Sequence, residues 1–332
     1  MKRKILLLSA IILVAIAAWL LFGLLTPYRE KEQWKIVAIS PGTSLLGIAN
    51  QLTEEHLLSA SGKSAFIVTS ALSGKARKLQ PGRYRFSPSM PAWEILRWLT
   101  EGKVYVFRIT IPEGFTLSQI GALLESEGLG TKQEIAVLPA GNDGTISSLV
   151  PKDSPSLEGY LFPDTYEIDG RQGQLDIVNK MLARFDEVVW QGIFKAYRNN
   201  GGLSKHQIIT LASLVEGEAK LPAERPIIAG VLLNRLRKDM KLECDATVQY
   251  ALGERRTRLT YRHLEVSSPY NTYLISGLPP GPICSPGKAS IEAALHPAAT
   301  PFLFYVARPD GSHIFSRTFS QHQAAISQIR RR

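Results

Sequence analysis

Two carboxylates, Glu216 and Glu218, close the apolar run from His206 to Lys220, HQIITLASLVEGEAK, and they are the side chains best placed to do acid–base chemistry. Ile208, Leu211, Ala212 and Val215 recur at the i, i+3, i+4, i+7 spacing of one buried helix face. On that helix the two glutamates fall on opposite shoulders of the face, near its edge with solvent. A carboxyl half-withdrawn from water holds its proton to higher pH, because desolvation penalises the charged form. A general acid working near neutral pH needs that property. Two surface glutamates ending an ordinary core helix would give the same periodicity, and the periodicity does not choose between Glu216 and Glu218. Other chemistries lack their residues. There is no HExxH, GxSxG, Walker glycine loop or GxGxxG. The six histidines are scattered, so neither a metal site nor a Ser–His pair is expected, and no cofactor is implied.

Several elements must position those carboxylates. Helices are predicted over Leu175 to Tyr197, through the glutamate run, and over Pro226 to Lys238, with Asn199–Gly202 and Pro222 as breaks. Phe302 to Ala307 and Ser312 to Ser316 read as strands joined through the turn at Pro309-Asp-Gly311. Proline and glycine dominate from Thr260 to Pro301, in stretches such as Gly277-Leu-Pro-Pro-Gly-Pro282, which suit the walls of a cleft. Upstream, Val37–Leu52 and Ile109–Leu124 are two copies of one pattern: a short strand, a Pro/Gly turn, then a helix capped near Ser44 or Thr116. A glycine before the cap also resembles the opening of a LysM-like glycan-binding module. Between the copies, Gly82 to Phe86 alternates like a strand and Trp93 to Leu99 reads as a helix.

The ends of the chain suggest where it works. Ile5 to Leu25 carries no charge and is long enough to span a bilayer, with Lys2, Arg3 and Lys4 before it. The expected topology is an uncleaved anchor with its N-terminus in the cytoplasm and everything from about Pro27 onward outside. Net charge is +10, but six of those charges are Lys2–Lys4 and Arg330–Arg332, so no nucleic-acid stripe is implied. In an oxidising compartment the two cysteines, Cys244 and Cys284, permit a disulfide, with two buried thiols as the alternative.

Six ordered motifs narrow the reading. Leu157-Glu-Gly-Tyr-Leu-Phe-Pro-Asp-Thr-Tyr166, Leu211-Ala-Ser-Leu-Val-Glu-Gly-Glu-Ala219, Val231-Leu-Leu-Asn-Arg-Leu236, Cys244-Asp-Ala-Thr-Val-Gln-Tyr250, Tyr270-Asn-Thr-Tyr273 and Gly277-Leu-Pro-Pro-Gly-Pro282 closely resemble the endolytic murein transglycosylases, the YceG-like family. The resemblance implies an α+β protein in four parts: a cytoplasmic N-terminus and transmembrane anchor (1–28), a small LysM-like α+β region with both strand–turn–helix copies (29–138), a linker (139–156), and a mixed α/β catalytic domain with Pro/Gly-rich cleft loops (157–332). It implies a bacterial cytoplasmic-membrane enzyme that cuts peptidoglycan between N-acetylmuramic acid and N-acetylglucosamine, leaving 1,6-anhydro ends and terminating nascent strands beside peptidoglycan synthases. By the same resemblance Glu218 is the catalytic residue. Glu158, Asp164 and Thr165 are candidates to bind sugar hydroxyls or N-acetyl groups, or else to hold a turn around Pro163. Asn271 and Tyr273 are candidates to stabilise the reacting sugar, or else parts of a rigid loop. Arg235 and Arg237 read as a solvated face or internal ion pairs. Two other functions stay open at this point: a wall-binding scaffold without activity, and a hydrolase that pairs Glu218 with a second acid such as Glu158 or Asp164.

Overall fold

The computed structural model describes residues 2–29, 31–136, 138, 150–151, 154–197, 202–254 and 256–330. The linker expected at 139–156 lies mostly outside them, as does most of the expected stop at Asn199–Gly202. The chain divides into two units, Met1–Ile109 with Glu167–Gln172, and Thr110–Tyr166 with Gly173–Arg332.

The first unit opens with helix α1 (Lys2–Leu25), followed by β1 (Lys35–Ile39), α2 (Leu45–Glu54), α3 (Ala60–Leu72), β2 (Gly82–Phe86) and α4 (Ala92–Glu101). Arg3–Leu25 contains an 18-residue stretch with a mean hydropathy of 3.0, and the helix is long and apolar enough to cross a membrane. Strand β1 pairs antiparallel with β2 in the register Val37↔Tyr84, and Val37, Ile39, Tyr84 and Phe86 point into one core. Leu52, Phe66, Ile95 and Leu99 from α2, α3 and α4 close that core, each fully buried. In this unit β3 (Val106–Thr110), up to Ile109, pairs with the Glu167–Asp169 part of β4 (Thr165–Asp169).

The second unit continues with α5 (Leu117–Ser126), α6 (Lys132–Ala136), α7 (Gln174–Phe185), α8 (Lys205–Glu218), α9 (Arg225–Arg237), α10 (Asp245–Leu252), α11 (Tyr261–Leu264), α12 (Lys288–Leu295), β5 (Phe304–Ala307), β6 (His313–Ser316) and α13 (Phe319–Arg330). The repeated caps are real. Ser44 and Thr116 accept from the backbone N–H three residues on, and Gly42 and Gly114 sit at φ +81° and +77°, where a side chain would be strained. Helix α7 ends at Phe185, and single π and 3₁₀ turns replace the longer helix expected there. The predicted β-hairpin forms, with Tyr305 opposite Phe315.

Helix α8 departs from the one-faced helix expected. Every residue from Ile208 to Val215 is buried, including Thr210 and Ser213. The polar pair is tolerated because Thr210 Oγ1 donates to the His206 carbonyl and Ser213 Oγ to that of Thr210. Ser213 Oγ also accepts from the Ile283 N–H, tying the Pro/Gly-rich loop to the helix. Helices α9, α10 and α12 pack around it, so between an exposed first turn with Lys205 and Gln207 and its last turn α8 has no solvent face to spend on charge.

Arg235 fastens this assembly. Its side chain is 7 % exposed, and its guanidinium donates to the carbonyls of Leu303, Lys241 and Leu242 at 2.6, 3.0 and 3.1 Å and to Glu243 Oε2 at 2.9 Å. It also lies over the Phe304 ring at 5.0 Å. Its neighbour Asn234 donates to the carbonyls of Thr300 and Phe302. The internal role read for Arg235 is the one observed, and α9 thereby holds both β5 and the approach to α10. Replacing Arg235 by Met leaves these carbonyls unpaired, and chemical denaturation of the full chain should show a loss of about 3 kcal/mol. A loss under about 0.5 kcal/mol, the range of ordinary surface substitutions, would remove Arg235 from this role.

Candidate active site

Glu218 is the last residue of α8, at the edge of a cavity of about 680 Å³ in the second unit. Glu113, Thr116, Glu158, Glu216, Asp245, Tyr250 and Ile283 are among the residues that line it. Its carboxyl is densely surrounded, with some accessible surface left only because the residue faces the hollow. Burial raises its pKa to about 7, and the nearby Asp245 adds to the rise. Two donors oppose them: the Ala246 N–H at the start of α10, 3.1 Å from Oε1, and the Tyr305 hydroxyl. The result is an acid that exchanges its proton near neutrality.

Glu216, two residues earlier, has a different environment. Its Oε2 accepts from the Gly287 N–H at 3.1 Å and the Ser290 hydroxyl at 2.7 Å, which closes the N-terminus of α12. Its Oε1 lies 3.5 Å from Arg225, and Arg225 in turn donates to Ser290. With its side chain 8 % exposed, Glu216 is a buried structural anion and not the solvent-edge group expected. Glu113, at the mouth, has its pKa raised by burial and by Glu216.

Glu158 shares the cavity with Glu218 and is only 4 % exposed. Burial raises its pKa to about 7, against the Leu117 N–H at 2.9 Å on Oε1 and a hydrogen bond from Tyr250. The other sequence candidates do not line the cavity. Asp164 accepts from the Thr165 N–H and pairs with Arg184 at 2.8 Å, while the Thr165 hydroxyl meets that of Thr110. Asn271 is fully buried, its amide donating to the carbonyls of Leu264 and Val266 and its oxygen accepting from the Tyr273 N–H. The Tyr273 hydroxyl donates to Asp245 at 2.7 Å, fixing the first residue of α10. Cys244 is the N-cap position of α10, and both cysteines are buried and free, so the permitted disulfide is absent. Among the described residues no group of His, Cys, Asp and Glu could hold a metal ion.

Sequence reading did not find Tyr305, Tyr250 or Glu113. Tyr305 comes from a strand 87 residues after Glu218, and nothing in its local pattern points to a carboxylate. Tyr250 stands in one of the six motifs but was not singled out.

The buried acids set a sign for stability against pH. Groups whose folded pKa exceeds the unfolded value bind more protons when folded, so stability falls as pH rises from about 4.5 to 7. Glu158→Gln keeps the shape without the charge. Its melting temperature should exceed that of the wild type at pH 8, with the gain gone at pH 4; a gain equal at both would deny the burial argument. Tyr305→Phe removes a donor that favours the anion, so Glu218 should ionise at higher pH. The carboxyl band in pH-difference infrared spectra, assigned with Glu218→Gln, reads this directly, and an unmoved midpoint would discard Tyr305 as a partner.

The chain resembles known proteins over most of its length. The profile of the YceG-like family matches residues 37–328. An endolytic murein transglycosylase of Bacillus subtilis is 36 % identical over 321 residues, covering 91 % of this chain and 87 % of that protein. One of Streptococcus pneumoniae is 29 % identical over 75 % of this chain, which spans half of that relative's length. The crystal structure of a putative YceG-like protein from Listeria monocytogenes superposes with a TM-score of 0.58 at 33 % identity, over 89 % of this chain and 99 % of the other.

Proposed function

The chain belongs to the YceG-like family, and from that premise we propose that it is an endolytic murein transglycosylase, cutting β-1,4 bonds between N-acetylmuramic acid and N-acetylglucosamine within peptidoglycan strands. The observation that carries the reading is one carboxyl, Glu218, half-buried on a cavity wall with its pKa raised to about 7 and, among the described residues, no cation paired with it. At neutral pH a large fraction of it carries the proton that a glycosidic oxygen must receive.

Glu218 donates that proton to the leaving oxygen as the C1–O bond breaks, and charge develops on the muramic ring. The resulting carboxylate then takes the proton of the C6 hydroxyl as that oxygen bonds to C1. The product is a 1,6-anhydro end, no water is consumed, and Glu218 returns to its starting state. One glutamate serves both steps, so a second ionised carboxylate is not required. Holding the acid proton at a pKa near 7 rather than 4.5 corresponds to about 3 kcal/mol of net differential interaction, desolvation and Asp245 set against the two donors. Glu158, more deeply buried and facing the same hollow, is the residue we assign to the sugar's N-acetyl or hydroxyl groups. Asn271 and Tyr273 act behind the wall: Asn271 rigidifies the loop and Tyr273 fixes Asp245 at the head of α10.

Helix α1 serves as a single-pass anchor in the cytoplasmic membrane, with the N-terminus inside and the chain that follows α1 outside. Its length and hydropathy support this, as does the basic Lys2–Lys4 segment ahead of it. Such a location suits cleavage of nascent strands beside the synthases that make them, which ends strand growth.

Mass spectrometry of products from uncrosslinked glycan strands tests the reading with the full chain in detergent. Anhydro-muramic ends from the wild type, reduced at least about 100-fold in Glu218→Gln, are expected for loss of the proton donor. Free reducing muramic ends would identify a hydrolase. No cleavage by the wild type would favour a wall-binding scaffold.

A further inference from the structure

Helix α1 does not leave the first unit by a free tether. Gly23, inside the apolar stretch and buried, packs against the first turn of α3, where a Cβ would collide with the Ser61 carbonyl and the Gly62 Cβ position lies 3.4 Å from the Gly23 carbonyl oxygen. Helix α4 also packs on α1. Just beyond the helix, the Tyr28 ring stacks on His56 and the Arg29 N–H donates to the Pro88 carbonyl at 3.0 Å, shortly before α4 begins. The outer end of α1 is therefore built into the unit, and the same elements must meet whatever surrounds that end.

They present aromatic rings covered by guanidinium groups. Arg97 lies over Trp93 at 5.1 Å on α4, with Trp93 39 % exposed. Arg29 lies over Tyr28 at 5.5 Å, and Lys63 stands on the first turn of α3. Indole and phenol rings favour the zone between hydrocarbon and water, where an apolar body and a polar edge are both satisfied. Arg97 also pairs with Glu94 at 3.3 Å through Nη2, so it offers phosphate oxygens only the donors left over, while the Arg29 guanidinium is a planar fork of the kind that matches them. Across this unit Lys and Arg outnumber Asp and Glu, which favours an anionic surface.

We infer that Tyr28, Arg29, Lys63, Trp93 and Arg97 form a belt that seats the first unit against anionic phospholipid headgroups, a membrane contact separate from the span itself. The inference rests on α1 crossing the bilayer, as proposed above. Such a belt holds the unit on the surface and removes much of the freedom a single helix would leave it. Each cation near an anionic surface adds an attraction that salt screens.

Spin labels on the full chain in nanodiscs test the contact and the span separately. One label replaces Val14, within the span, and another replaces Trp93; nanodiscs are made of phosphatidylglycerol or of phosphatidylcholine alone. The expected result is a Val14 label relaxed by oxygen dissolved in the lipid, and a Trp93 label that loses accessibility to a water-soluble nickel complex in phosphatidylglycerol discs. That loss should shrink in phosphatidylcholine, and also in phosphatidylglycerol when Arg29 and Arg97 are both changed to Gln. A Val14 label in lipid beside a Trp93 label as open to nickel as in detergent overturns the belt while leaving the span. Equal shielding in both lipids overturns the assignment to anionic headgroups. A Val14 label open to nickel overturns the span and the belt with it.

Discussion

A carboxyl withdrawn from water, with no cation paired to it among the described residues, is the constraint that organises the second unit. Desolvation, helped by the charge of Asp245, raises the Glu218 pKa, and a nearby arginine would undo the effect by favouring the anion. The arrangement of charge follows. Arg225 is committed to Glu216 and Ser290, and Arg235 to backbone carbonyls and Glu243. What reaches Glu218 is weaker: one backbone N–H and one hydroxyl, enough to orient the carboxyl while leaving the proton near neutrality. Two glutamates on one helical turn thus receive opposite environments, and the difference separates a structural anion from an acid.

Burial on this scale requires the helix that ends in Glu218 to be enclosed on all sides. Helices α9, α10 and α12 supply the enclosure, and the Pro/Gly-rich loop completes it through Ser213 and through His206, whose Nε2 meets the Pro280 carbonyl at 2.8 Å. The Tyr160 hydroxyl meets the other ring nitrogen of His206 at 2.7 Å, so the first family motif is tied to the last. Gly159 has φ +83°, and a Cβ there would collide with Pro282. Motifs far apart in sequence are in this sense one packing unit, and most of their residues support the cavity from behind without lining it.

The sequence showed much of this and misplaced part of it. The caps at Ser44 and Thr116, the β2 and α4 segments, and the terminal hairpin all carry local signals, and all formed. Helix α7 ran short because a π turn follows Phe185, and such turns have no composition that marks them. Asp164, Thr165, Asn271 and Tyr273 are polar residues in motif positions, which in sequence fits sugar contact as well as wall construction. Their hydrogen bonds are spent on turns, on Arg184, on loop carbonyls and on Asp245.

By itself the sequence determined the element types, the apolar N-terminal stretch, the family resemblance and the presence of an acid at the end of an apolar helix. Periodicity and capping depend on neighbours within about one or two helical turns, so they survive in the linear chain. Only the tertiary structure decided that Glu216 meets Arg225 while Glu218 does not, that Glu158 enters the same hollow, and that Tyr305 reaches the acid. Those outcomes rest on desolvation and on partners tens of residues away, brought together by packing of helices and a hairpin. A carboxyl's proton affinity is a property of its three-dimensional surroundings, and no local spacing contains it.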